Sequence, residues 1–128
     1  MIKIMVIDDQ KTFLDYIAIV LKDVFDSKVD ISTYGDSVLA MNTFEEIDPD
    51  IVITDIYMPK VDGFELITHF KSHKEIPIIA LSSATVGSNN TNNTLAMAMA
   101  VGSDYAISKS DLAFELPEVV LDIIQNIE

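Results

Sequence analysis

Five short apolar runs alternate with segments whose apolar residues recur at three- and four-residue spacing, and that alternation restricts the chain to few architectures. The runs cover residues 2–7, 29–34, 51–54, 78–81 and 105–108. They are strand-sized; residues 29–34 are rich in β-branched residues, and residues 2–7 alternate too little for a surface strand and read as a buried one. Between them, residues 11–25 place Phe13, Leu14, Ile17, Ile19, Val20, Leu21, Val24 and Phe25 at helical spacing. A second helix is expected over 36–46, stopped by Asp48-Pro49. A third follows over 64–71, with Phe64, Leu66, Ile67 and Phe70 inward, after a turn from Met58-Pro59 to Gly63. Ser82 to Thr94 is dominated by Ser, Thr, Asn and Gly and reads as a solvated loop. A fourth helix is expected from Leu95 to Val101, ended by Gly102 in a left-handed cap. Residues 111–127 supply a fifth, with Pro117 as a place where it is broken or restarted. Strict strand–helix alternation implies a parallel sheet with helices on both faces and right-handed crossovers. The expectation is a doubly wound α/β domain spanning 1–128, with 29–33 and 105–108 as edge strands.

Composition removes several function classes. At 128 residues and 49% hydrophobic content, one domain with a real core is expected. No apolar run approaches the ~20 residues of a membrane span. Met1 leads straight into a strand-like run without a charged leader, so a cytoplasmic protein is expected. The absence of cysteine excludes disulfides and thiolate chemistry. A net charge of −13 without arginine argues against direct nucleic-acid binding and against an anionic membrane surface. Most of that acidity serves solubility. A smaller part would feed a divalent-cation site.

The chemistry sits where the runs end. Asp8 and Asp9 close the first, Asp55 the third, Ser82 the fourth and Lys109 the fifth. In an open α/β sheet, ligands bind at the carboxyl ends of the strands. The acids converge only if the first and third strands are neighbours; in the order 2-1-3-4-5 they are, and the three carboxylates would then share one pocket. At about 5 Å and an effective dielectric near 20, each pair costs roughly 3 kcal/mol. A hard divalent cation together with Lys109 would offset that. Magnesium takes oxygen ligands in an octahedron and keeps several waters. Asp9 and Asp55 are assigned direct ligation, Asp8 ligation through a water, and the Tyr57 backbone carbonyl the third protein position. A carboxylate can also attack phosphorus, giving an aspartyl phosphate. Lys109, the Ser82 hydroxyl and the Ser83 backbone amide would then meet the phosphoryl oxygens. Taken singly, each residue has a plainer explanation. Asp8 or Asp9 could cap the helix near Lys11, Asp55 could serve a turn, and Lys109 could be a surface charge. The combination at four strand ends is what specifies a site. His69 and His73, without a clustered partner, read as solvated surface. Of Met97 and Met99, which cannot both face one core, one is expected to be exposed as part of a contact surface.

The chain resembles the receiver domain of bacterial two-component response regulators, the fold shared with the chemotaxis response regulator. The resemblance covers essentially the whole chain. It rests on Val6 to Asp9, on Asp50 to Asp55 with Met58-Pro59 and Gly63, on Leu81 to Ser83, and on Gly102 to Tyr105 with Lys109. It implies a flavodoxin-like (βα)5 fold. It implies that Asp55 accepts a phosphoryl group from the phosphohistidine of a sensor histidine kinase or phosphotransfer protein, with Mg2+ at Asp8, Asp9 and Asp55. Ser82 takes the place of the switch hydroxyl and Lys109 that of the phosphate-contacting lysine. It further implies a downstream protein target or output domain, a homodimer through helix 4, strand 5 and helix 5, and no enzyme activity beyond the domain's own phosphotransfer and autodephosphorylation. No output domain fits after Ile127, so the expectation is either a protein that acts alone through protein contacts or the front of a longer chain.

Departures from the family pattern are specific. The aromatic switch position, three before the lysine, is Ala106, and Tyr105 stands one residue earlier, on the opposite face of a strand. Ser110 replaces the proline that commonly follows the lysine, where a cis bond would cost about 3 kcal/mol. The loop after Ser83 is longer and more polar than usual. Tyr57 is bulky enough to shield an acyl phosphate. Two competing readings are an aspartate-nucleophile phosphohydrolase and a constitutive docking module that has abandoned phosphorylation. Against the first, the acids are adjacent rather than Asp-x-Asp and no cap-sized insertion exists. The intact acid set opposes the second.

Overall fold

The computed structural model describes residues 1–83 and 90–127, the side chains of residues 90–92 excepted. Strands β1 (Ile2–Ile7), β2 (Val29–Tyr34), β3 (Ile51–Asp55), β4 (Ile78–Ser82) and β5 (Tyr105–Ser108) form one sheet in the order β2-β1-β3-β4-β5. Every pairing is parallel, and β2 and β5 lie at the edges. β3 and β4 are buried at every position, as continuous apolar runs covered on both faces should be. The register aligns Ile7 with Thr54, Asp55 with Leu81 and Ser82 with Ser108. The residues that end β1, β3, β4 and β5 therefore share one rim of the sheet.

Alternation along the strands divides the core in two. On one face, Ile4, Val6, Ile51, Ile53, Ile79, Leu81 and Ile107 meet helices α1 (Lys11–Phe25) and α5 (Leu112–Ile127). Helix α1 buries Leu14, Ile17, Leu21 and Phe25, one stripe at three- and four-residue steps. On the other face, Met5, Ile7, Val52, Ile78 and Ala80 meet α2 (Ser37–Ile47), α3 (Gly63–His73) and α4 (Asn90–Val101). Phe44 of α2 stacks on Phe70 of α3, ring centroids 4.2 Å apart. Each such buried side chain contributes roughly 1.5–3 kcal/mol of transfer free energy. Helices α2 and α3 start on side-chain caps: Asp36 accepts from the Val38 and Leu39 amides, Asp62 from the Glu65 amide.

Several expectations need correction. Helix α4 begins at Asn90 rather than Leu95, so only the central part of the expected 82–94 loop, residues 84–89, lies outside the described residues. Met97 and Met99 are both exposed, because α4 turns small residues, Thr94 and Ala98, inward. Helix α5 runs unbroken through Pro117. Its buried stripe of Leu112, Leu116, Val120, Ile123 and Ile124 spans the proline, and the residue whose carbonyl the missing N–H would have met, Ala113, is exposed to water. A single 3-10 turn, Lys109–Asp111, leads into it. No cis peptide bond occurs among the described residues, Lys109-Ser110 included. His73 is not without a partner: its Nε2 lies 2.9 Å from Glu45 Oε1, and its ring packs 4.4 Å from that of His69.

The carboxyl end of α4 is fastened to the sheet. Gly102 takes φ +125°, and the Ser103 amide donates back to the Ala98 carbonyl. Asp104 then exchanges backbone and side-chain bonds with Ile78: its amide donates to the Ile78 carbonyl (2.9 Å), and its Oδ2 accepts from the Ile78 amide (2.9 Å) and from Lys71 Nζ (2.8 Å).

Candidate functional site: an acidic crevice closed by a lysine

Asp8 follows directly on β1 and is fully buried; Asp55 ends β3 and is 6% exposed; Asp9 points to solvent. One carboxylate oxygen from each lies within 4.8 Å of the others. The inner two are held by backbone. Asp8 Oδ1 accepts from the Gln10 amide and Asp55 Oδ1 from the Ile56 amide, both at 2.9 Å. Asp8 thus orders the entry to α1 without capping it; the N-cap residue is Gln10, which makes no side-chain cap bond.

Holding each Oδ1 in this way aims each Oδ2 inward. Lys109 Nζ stands 2.7 Å from Asp8 Oδ2 and 3.5 Å from Asp55 Oδ2. The lysine is itself buried and sits 4.1 Å from the centre of the Phe13 ring, whose face favours a cation. Phe13 is a site residue that its sequence position did not reveal, since it reads as one more core residue of α1. The short Lys109–Asp8 contact is an ion pair, while neither Asp8 Oδ2 nor Lys109 Nζ completes a hydrogen bond within the protein. Buried polar atoms left in that state cost about 1–3 kcal/mol each, more when charged. They are what a metal-bound water or a phosphoryl oxygen would satisfy, and the three-carboxylate donor set suits a hard divalent ion. Burial, and after it the neighbouring Asp8 charge, pushes the Asp55 carboxyl up to about 6 from 3.8, against the pull of Lys109.

Two local features place the β3 end. The Gly63 amide donates to the Ile56 carbonyl at 2.6 Å, and a Cβ on Gly63 would stand 2.4 Å from the Asp55 carbonyl oxygen. Only glycine lets α3 start so close to β3. Ser37 Oγ donates to the Pro59 carbonyl and accepts from the Val61 amide, which pins the connection between β3 and α3. Beside Asp9, a cavity of about 200 Å3 opens between Ser37, Pro59 and Lys60.

Ser82, 2% exposed, ends β4 beside Ser108, and Ser83 follows it at the same rim. Tyr57, whose carbonyl was assigned to a metal, lies in the β3–α3 connection. Its side chain is 64% exposed, and its hydroxyl is 2.8 Å from Thr94 Oγ1. Thr94, on α4, is a partner that nothing in the sequence signalled. Tyr105 is not brought to the crevice. It packs with the α1–α5 core and donates to Asp122 of α5 at 2.6 Å, a bond that raises its pKa. Ala106 pairs in register with Ala80, on the face that α4 covers.

A doubly wound sheet with acids at two adjacent strand ends and a lysine at a third fits a signalling receiver. A family model described as the response regulator receiver domain matches residues 4–120, and the chain belongs to that family. Over 116 residues it is 32% identical to the sensory transduction protein BceR of Halalkalibacterium halodurans, covering 85% of this chain and 44% of that protein. Over 118 residues it is 30% identical to protein-glutamate methylesterase/protein-glutamine glutaminase 3 of Shewanella oneidensis, covering 90% of this chain and 31% of that protein. The chain thus spans about a third to a half of these curated relatives. Among solved structures, a response regulator receiver domain protein from Clostridium thermocellum superposes with a TM-score of 0.84 at 26% identity, covering 98% of this chain and 96% of that one. The chain is a two-component receiver domain, and neither the phosphohydrolase nor the docking module is favoured. No helix among the described residues is long and apolar enough to cross a membrane.

Proposed function

We propose that Asp55 is the phosphoryl acceptor of a two-component switch. The observation that carries this reading is the buried Lys109 ammonium between Asp8 and Asp55, ion-paired to both while neither Asp8 Oδ2 nor Lys109 Nζ completes a hydrogen bond within the protein. Asp55 Oδ2 attacks the phosphorus of a phosphohistidine on a kinase or phosphotransfer partner. The O–P bond forms as the N–P bond breaks. The histidine nitrogen leaves with the electron pair and takes a proton from solvent. Lys109 meets a phosphoryl oxygen, and Ser82 with the Ser83 amide supplies further donors from β4. Mg2+, held by Asp9, Asp55 and the Tyr57 carbonyl with Asp8 acting through water, would neutralise the crowded oxygens. The added charge of about −1.5 to −2 shifts the balance between two states of the domain. A target or output domain would read that shift, and α4, β5 and α5 would also serve homodimerisation. The domain acts in its own phosphotransfer and autodephosphorylation, in the cytoplasm, as a single unit over 1–128.

Acetyl phosphate or beryllium fluoride with Mg2+ tests this. Wild type should take up one equivalent, and Asp55→Asn none. Undiminished uptake by the variant would refute the assignment, and sustained turnover of small phosphate esters would favour a hydrolase.

A further inference from the structure

Position 106, where the resemblance calls for an aromatic residue, carries a methyl group; its in-register neighbour in β4, Ala80, carries one too, and Ala80 shares a core cluster with Ala98 of α4. Tyr105 is committed to Asp122 on the far face. Neither Tyr105 nor Ala106 offers a side-chain path from Asp55 to α4. Two residues from Asp55, Tyr57 reaches across to α4, its hydroxyl 2.8 Å from Thr94 Oγ1. We propose that the Tyr57–Thr94 hydroxyl pair is the coupling link of this receiver, replacing the aromatic switch missing at Ala106. The inference rests on Asp55 as the phosphoryl acceptor.

The two ends of the link differ in freedom. Thr94 is 3% exposed, so its hydroxyl needs a partner. Tyr57 is 64% exposed, touching Phe64 edge-on at 6.4 Å, so its ring moves at little cost in burial. The near end is tied to the chemistry. The Ile56 amide donates to Asp55 Oδ1, and Ile56 is fully buried. Forming the acyl phosphate at Oδ2 converts Oδ1 from an anionic to a weaker neutral acceptor. That loosens the Ile56 peptide, which carries Tyr57. If the ring withdraws, Thr94 Oγ1 has a ready alternative in the carbonyl four residues earlier, at Asn90, a bond that threonine makes within helices and that bends them. Two discrete partners for one buried hydroxyl form a two-state element, which coupling between sites requires.

The test compares backbone amide NMR spectra of wild type, Tyr57→Phe, Thr94→Val and the double variant, each before and after loading with beryllium fluoride and Mg2+. Tyr57→Phe keeps the ring and removes the hydroxyl; Thr94→Val keeps the shape. The Ile56 amide reports loading, and amides 95–101 report α4. Thr94→Val should load normally, and within the loaded fraction of each single variant, read at the Ile56 amide, the ratio of the two α4 states should change by roughly two- to tenfold. The double variant should add nothing further, as for two ends of one contact. Full loading at Ile56 with a wild-type response along α4 in both single variants overturns the link alone. Failure of the wild type to load overturns the Asp55 reading and the link together.

Discussion

Replacing Asp55 by asparagine should stabilise the metal-free protein at neutral pH, and the geometry gives the size. The Asp55 carboxyl is pushed to about 6 in the fold against 3.8 ordinarily. Between those values the folded state binds more protons than the unfolded chain, so stability falls as pH rises through that window. A gap of about two units corresponds to about 3 kcal/mol of destabilisation once pH exceeds 7. By the same linkage only about 1 kcal/mol remains near pH 4.5. Asparagine carries no charge to desolvate, keeps an oxygen for the Ile56 amide and gives up the attraction of Lys109. The net gain should be about 1–3 kcal/mol near pH 7.5. Urea unfolding of both proteins in chelator, followed by circular dichroism at about pH 7.5 and 4.5, measures it. The midpoint of the variant should rise at the higher pH with an unchanged slope, and most of the advantage should vanish at the lower. A variant no more stable than wild type near pH 7.5 would refute the claim that crowding and burial, rather than Lys109, dominate the electrostatics of Asp55.

Two further outcomes concern the same rim. Saturating Mg2+ at about a hundred times its dissociation constant should stabilise wild type by about 2.7 kcal/mol, and Asp9→Asn should lose most of that gain in thermal melts. Gly63→Ala should cost about 1–3 kcal/mol by urea unfolding, because its Cβ would enter the space of the Asp55 carbonyl.

Strands β1, β3 and β4 were legible because two-sided burial set their composition, and α1 because burying one face sets a stripe at three- and four-residue steps. The sites of Asp8, Asp9, Asp55, Ser82 and Lys109 were legible because strand ends are topological facts. What failed lay where propensity is neutral. Residues 90–94 are Asn-Thr-Asn-Asn-Thr, which favours helix no more than loop. The inward face of α4 is threonine and alanine, so no apolar periodicity announces it and its bulky methionines face outward. Pro117 suggested a break that the packing of α5 overrides. Phe13 beneath Lys109, Thr94 opposite Tyr57 and Glu45 beside His73 are contacts between distant elements, and no local pattern encodes them.

The bonds of Asp104 with Ile78 and Lys71 make the carboxyl end of α4 a hinge pin. A 12-residue helix is about 18 Å long. A tilt of about 10° around that pin would carry its amino end roughly 3 Å while leaving Gly102 nearly still. A binding protein that grips the amino-terminal turns of α4 would feel the full stroke, and one seated near Val101 would feel almost none.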